Sequence, residues 1–202
     1  MRRTKEDMLI TKEQILNAAF DCFFEKGFEA TSLEEIAKRA GVTRGAIYWH
    51  FADKKELYRA AVDLTLEKGD VAEFAYSLPV DLTLEQRLEE VFWLALNENR
   101  YVDFVFRAMS FTSGRPEFDD VFQKLREAKR RLLHFFEEEV RIHLRMKRIE
   151  DKRSEEYALG LFLMFEGMFL TKNIPIGIQL TQENIIHYVR VTLGDLIDHP
   201  EA

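Results

Sequence analysis

The sequence has one cysteine, four prolines among 202 residues, and no uninterrupted apolar run of membrane-spanning length. A single cysteine excludes an internal disulfide, so the fold must rest on a packed core. Cys22 lies among Ala18, Ala19 and Phe23 at helical spacing, the setting of a small core residue rather than a reactive thiol. A bilayer-crossing helix needs about 20 nearly uncharged residues, and charges interrupt every stretch of that length. The first seven residues, Met1 to Asp7, are charged and carry no apolar leader, so a cytoplasmic protein without a membrane partner is expected. The four prolines, Pro79, Pro116, Pro175 and Pro200, all fall between apolar periodic stretches and never inside one.

The residue sets of common catalytic sites are also missing. There is no HExxH, no cysteine and histidine set, no glycine-rich phosphate loop and no GxSxG elbow. His134, His143, His187 and His199 share no ligand spacing, so no metal and no cofactor are expected, and the chain does not read as an enzyme. Glu137 to Glu139 beside His134, and the basic set Lys124, Arg126, Lys129, Arg130 and Arg131, read as solvated helix faces. The net charge is -7. It is unevenly spread: residues 1–60 hold 11 Lys and Arg against 10 Asp and Glu, so the acidity lies in the remainder. A near-neutral head on an acidic body suits a head that meets a polyanion.

What is present is helical periodicity. Thr11 with Gln14, Ser32 with Glu35, and Asp53 with Glu56 have the spacing of helix-opening capping boxes. Helices are expected at 12–26, stopping at Gly27, then at 33–39, 44–50 and 54–76, and in longer form at 83–97, 100–111, 117–146, 154–172 and 182–197. The fold class is therefore all-α, with about nine helices. Ile174, Ile176, Ile178 and Leu180 alternate like a strand, but a lone strand has no partner, so an extended connector is expected.

Residues Leu33 to Tyr48 have the layout of a helix-turn-helix. Gly41 can take the left-handed turn conformation, Ala37 is small where two helices cross, and Ile36, Val42 and Ile47 can fix their angle. Thr43 can cap the second helix. That leaves Arg44 on the first turn of a recognition helix, where a guanidinium can pair bidentately with guanine. Phe51, and in part Trp49, read as packing inside the head.

The run Thr43-Arg44-Gly45-Ala46-Ile47-Tyr48-Trp49-His50-Phe51, followed by Asp53-Lys54 and Leu57, resembles the signature of TetR family repressors, particularly those governing multidrug efflux pumps. The likeness runs back through Ile15, Ala18, Ala19, Phe23, Gly27, Thr31 and Ser32. It implies a helix-turn-helix DNA-binding domain at 1–53 and a ligand-binding and dimerisation domain at 54–202. It further implies a repressor that binds a near-palindromic double-stranded operator as a homodimer and is released by a small hydrophobic or aromatic effector. Carried over by position, Thr43, Arg44, Gly45 and Ala46 would meet bases, and Tyr48, His50, Lys54, Thr31 and Ser32 would meet phosphates.

The body is rich in phenylalanine. Trp93, Phe104, Met109 and Phe165 are the expected pocket lining, with Asp103 or Glu166 as acids that could select a cationic ligand. Gly160 and Gly167, with Leu161, Met164, Met168, Ile185, Val189, Leu193 and Leu196, are the expected dimer surface on the last two helices. Coupling of ligand to DNA is expected through the helix that begins at Lys54, with Asp63, Leu66, Phe74, Trp93 and Phe104 as its route. The competing readings are an architectural DNA-binding protein and a helical carrier or enzyme.

Overall fold

The computed structural model describes residues 5–97, 99–148, 153–173 and 180–198. Among them are ten α-helices and no strand: α1 (Lys5–Ala30), α2 (Leu33–Ala40), α3 (Arg44–His50), α4 (Lys54–Lys68), α5 (Val71–Ser77), α6 (Leu84–Leu96), α7 (Arg100–Thr112), α8 (Asp119–Met146), α9 (Ser154–Asn173) and α10 (Gln182–Asp198), with a 3-10 turn at Pro116–Phe118 before α8. The all-α class holds. The connector at Ile174, Ile176 and Ile178 lies outside the described residues, and Leu180 is non-helical.

Two helix boundaries depart from expectation. Helix α1 starts at Lys5 and runs straight through Thr11, which is 8% exposed in mid-helix and opens nothing. Gly27 does interrupt it, with φ 77° and ψ 172°, so the last turn is set at an angle to the rest. The long helix expected at 54–76 is two helices. Gly69 closes α4, and the Asp70 side chain accepts from the amides of Ala72 and Glu73 to open α5. Asp70 also pairs with Arg131 of α8.

The chain forms two compact units, Met1–Gly69 with Asp103–Phe122, and Asp70–Val102 with Gln123–Ala202. In the first, Ile15, Phe23, Ile36, Ile47 and Leu57 are at most 1% exposed and form the head's core. An aromatic cluster continues it. Phe23, Phe28, Tyr58, Phe111 and Phe118 meet with ring centroids 5.1 to 5.9 Å apart, and Phe104 packs on Phe20 at 5.3 Å and Tyr58 at 5.9 Å. Burial raises the pKa of the Tyr58 hydroxyl above the usual tyrosine range, so the ring stays neutral among its neighbours. Cys22 is buried here too, and burial likewise raises its thiol pKa, as befits a core residue.

Charged ties fasten α7 and the start of α8 into this unit. Arg107 donates to the Phe24 carbonyl at 2.7 Å, Arg115 meets Glu29 at 2.9 Å, and Arg59 of α4 meets Asp120 at 2.8 Å.

The second unit packs Phe92, Phe136 and Phe165 at its centre with Leu88, Leu161, Ile185 and Leu193. Its buried ion pair is Arg87 with Glu139 at 2.8 Å, whose side chains are 10% and 12% exposed. The same guanidinium donates to the carbonyls of Leu78, Pro79 and Ala75, so the pair holds the end of α5 against α6 and α8. No helix among the described residues is long and apolar enough to cross a membrane.

Candidate nucleic-acid interface

The helix-turn-helix is built by three local devices. Ser32 caps α2 by accepting from the Glu35 amide at 3.2 Å. Gly41 closes it at φ 68° and ψ 25°, a left-handed conformation that a side chain would strain. Thr43 caps α3 by accepting from the Ala46 amide at 3.2 Å. Ile36 and Ile47, both fully buried, then fix the crossing of the two helices, while Val42 is only half-buried.

Packing one side of α3 leaves the other in solvent. Arg44, Gly45, Tyr48 and Trp49 are exposed and recur at intervals of four, so they share one strip. Arg44 donates to the Tyr48 hydroxyl at 3.0 Å with its guanidinium 5.6 Å from that ring's centroid, which holds the cation over the strip. Gly45 has open space where a side chain would stand, apart from Thr43 Oγ1 at 3.8 Å. Ala46 and His50 are half-buried at its edge. Phe51, 3% exposed, is core as expected. Trp49 is not: at 86% exposed it packs against little of the head, and sequence reasoning gave it no surface role. The signal was available, since Trp49 stands four residues after Gly45.

Two of the residues matched to phosphates are engaged inside the head. Thr31 is 2% exposed, and its hydroxyl donates to the carbonyls of Gly27 at 2.7 Å and Cys22 at 3.1 Å. Lys54 donates to the carbonyls of Phe28 at 2.9 Å, Thr31 at 2.9 Å and Glu29 at 3.5 Å, and lies 4.3 Å from the Phe28 ring centroid. A cation on three carbonyls at a helix end stabilises that end. Both side chains therefore brace the junction of α1, α2 and α4 beside the exposed Ser32.

The four expected pocket residues are dispersed. Phe104 belongs to the aromatic cluster of the first unit, where Met109 is half-buried, and Phe165 packs with Phe92 and Phe136 in the second. Trp93 lines a cavity of about 520 Å³ with Phe74, Glu90, Leu94, Asn97, Asn99, Arg100 and Tyr101. Of the acids considered, Glu166 pairs with Lys129, and Asp103 is half-buried on α7. Glu90, not anticipated, is a carboxylate at this cavity. No group of three or more His, Cys, Asp or Glu suited to a metal occurs among the described residues.

The last two helices meet within the chain. Leu161, Met168, Ile185, Val189 and Leu193, expected at a dimer surface, are buried within the unit, and the side chain of Leu196 lies outside the described residues. Gly160 faces Thr192 of α10, whose Cγ2 lies 3.5 Å from where a Cβ would stand, so its close approach is intramolecular. Gly167 has open space beside it, and Met164 accepts from the Thr192 hydroxyl through its sulfur at 3.3 Å. The solvent-facing residues lie one helical step away: Leu159, Leu163 and Leu170 of α9, with Tyr188 and Val191 of α10, are 48 to 64% exposed.

Residues 15–61 match the family described as bacterial regulatory proteins, tetR family. The chain is 50% identical over 70 residues to the HTH-type transcriptional regulator TtgR of Pseudomonas putida, a stretch covering 35% of this chain and 33% of that one. It thus spans about a third of that relative's length. A longer alignment joins it to the HTH-type transcriptional repressor BepR of Brucella suis biovar 1, 29% identical over 184 residues, covering 85% of this chain and 84% of that one. In fold it is similar to a SmeT–triclosan complex, with a TM-score of 0.69, 22% identity, and coverage of 95% and 94%.

Proposed function

We propose that the chain, whose residues 15–61 match the tetR family of bacterial regulatory proteins, is a cytoplasmic, ligand-responsive transcriptional repressor of that family, in which residues 1–53 bind a near-palindromic operator and residues 54–202 bind the effector and dimerise. The observation that carries this reading is the exposed strip Arg44, Gly45, Tyr48 and Trp49 on a short helix whose other side is locked into the core. Thr43, Arg44, Gly45 and Ala46 meet base edges, and Ser32, Tyr48 and His50 meet phosphates. Trp49 joins them, its indole N–H a donor and its face apolar. Thr31 and Lys54 act one step back, by holding the junction that presents Ser32.

The exposed leucines of α9, with Tyr188 and Val191, meet their copies in a second chain. Two-fold symmetry would set the recognition helices roughly 34 to 36 Å apart, one turn of DNA. The effector, small and hydrophobic or aromatic, binds the Trp93 cavity; the SmeT relative, a complex with triclosan, is consistent with a ligand of that kind. Coupling runs through α7. Its first residues, Arg100 and Tyr101, line the cavity, and further along the same helix Phe104 and Arg107 bind into the head's unit. Phe104 thus serves the relay rather than the pocket lining, and the α4 route becomes secondary.

Selection of bound fragments from genomic DNA, repeated with candidate effectors, tests the reading. Arg44→Ala should cost about 1 to 3 kcal/mol and relax preference at one base pair per half-site. Effector affinity should fall about 5- to 150-fold in saturating operator, because coupling is reciprocal. Unselective DNA coating would indicate an architectural protein. Ligand binding with no operator would indicate a carrier.

A further inference from the structure

A cavity of about 810 Å³ lies between the turn joining α5 to α6 and the last turns of α8, and the repressor reading makes no use of it. Val80 from the turn and Ile142 and Met146 from α8 line it while remaining 97%, 52% and 80% exposed. Solvent-facing aliphatic side chains gathered around a concavity of ligand size are unlike the single exposed residues found on any protein surface.

The charged groups of this cavity divide into two sets. Arg87 and Glu139 neutralise one another, and the remaining donors of Arg87 go to three carbonyls. Glu85 faces Arg190 at 3.4 Å, and His143 has an interaction of its own while its buried Nε2 receives no hydrogen bond. Asp81 and Lys147 line the same walls, and among the described residues neither side chain makes a salt bridge or hydrogen bond. An apolar recess is therefore bordered by one uncommitted carboxylate and one uncommitted ammonium. A monoanion would gain from Lys147 and be repelled by Asp81, and a monocation the reverse.

We propose that this cavity binds a zwitterion with an apolar body, its ammonium at Asp81, its carboxylate at Lys147 and its hydrocarbon against Val80, Ile142 and Met146. The site is separate from the Trp93 cavity, with which it shares no lining residue.

The test uses the full chain without DNA, so its failure leaves the operator reading untouched. Calorimetric titration compares four probes of one chain length: 8-aminooctanoic acid, 2-aminooctanoic acid, octanoic acid and octylamine. The two amino acids set the ammonium and carboxylate far apart or together, and one of them should bind about tenfold more tightly than both singly charged probes. The methyl resonance of Met146 in methyl-labelled protein, assigned with Met146→Leu, should move on binding. Asp81→Asn should reduce the preferred zwitterion to the affinity of octanoic acid, and Lys147→Met to that of octylamine. Both positions are exposed, so the variants should melt like the parent. A singly charged probe that binds as tightly, an unmoved Met146 methyl, or unchanged selectivity in either variant would overturn the assignment.

Discussion

Helices α3 and α9 both hold large apolar side chains in solvent, and the chemistry of those side chains separates the two surfaces. On α3 they are Tyr48 and Trp49, each an apolar ring with one hydrogen-bond donor, standing beside the cation of Arg44. On α9 they are Leu159, Leu163 and Leu170, which can do nothing in water but leave it. A surface of rings and donors suits a partner that alternates charged and flat groups, as a nucleic-acid duplex does. A surface of leucines suits another surface of leucines. Exposed area alone would have classed the two helices together.

The difference is sharpest if one charge is placed on the aliphatic face. Leu163→Glu should weaken self-association more than about 100-fold, since two-fold symmetry buries the new carboxylate in both copies with no donor to receive it. Sedimentation at micromolar concentration should then show monomers, while the melting of the head is unchanged. A dimer that survives this substitution would move the interface away from α9.

On the head, the next effect concerns what a cation is for. Lys54 looks like a phosphate contact in sequence, yet its ammonium sits on the carbonyls of Phe28, Glu29 and Thr31. Lys54→Ala should therefore lower stability by about 1.5 to 3 kcal/mol, the range for hydrogen bonds from a charged donor. Thermal unfolding measures this without DNA. If stability is unchanged and the salt dependence of operator binding falls by about one charge, Lys54 is a phosphate ligand after all.

Lys54 also marks where legibility in the sequence ended. Its acceptors stand 23 to 26 residues away, so no local pattern announces them. The caps at Ser32, Thr43 and Asp53 were legible because a cap is a contact across three residues. Thr11 has the same spacing and caps nothing, because the helix had already begun at Lys5. Asp70 does cap, three residues before Glu73, and was passed over because the apolar period continues across it. The recognition strip could be read from a wheel of seven residues. The pocket could not, since whether Phe104 and Phe165 line a cavity or pack in separate units depends on tertiary contacts between distant segments.

The smallest effect tests how α7 and the start of α8 are held to the head. The Arg59 guanidinium beside Asp120 keeps that carboxyl below its usual range, and the pair spans α4 and the first turn of α8. A carboxyl whose folded pKa is depressed contributes stability that is present above its unfolded pKa of about 3.9 and is lost as pH falls through the folded value. The contribution is therefore constant at neutral pH and fades only in acid, below about pH 4. The side chains are 34% and 52% exposed, so solvent screening holds the effect to under about 1 kcal/mol. Asp120→Asn should lower stability by that amount near neutral pH and by nothing once the carboxyl is protonated in both the folded and the unfolded chain, so the difference between variant and parent should close in the acid range. Denaturant unfolding at a series of pH values reads it directly. A gap that stays constant across that range would mean that Asp120 contributes by packing rather than by charge, leaving the aromatic cluster around Phe118 to hold the first turn of α8 in this unit.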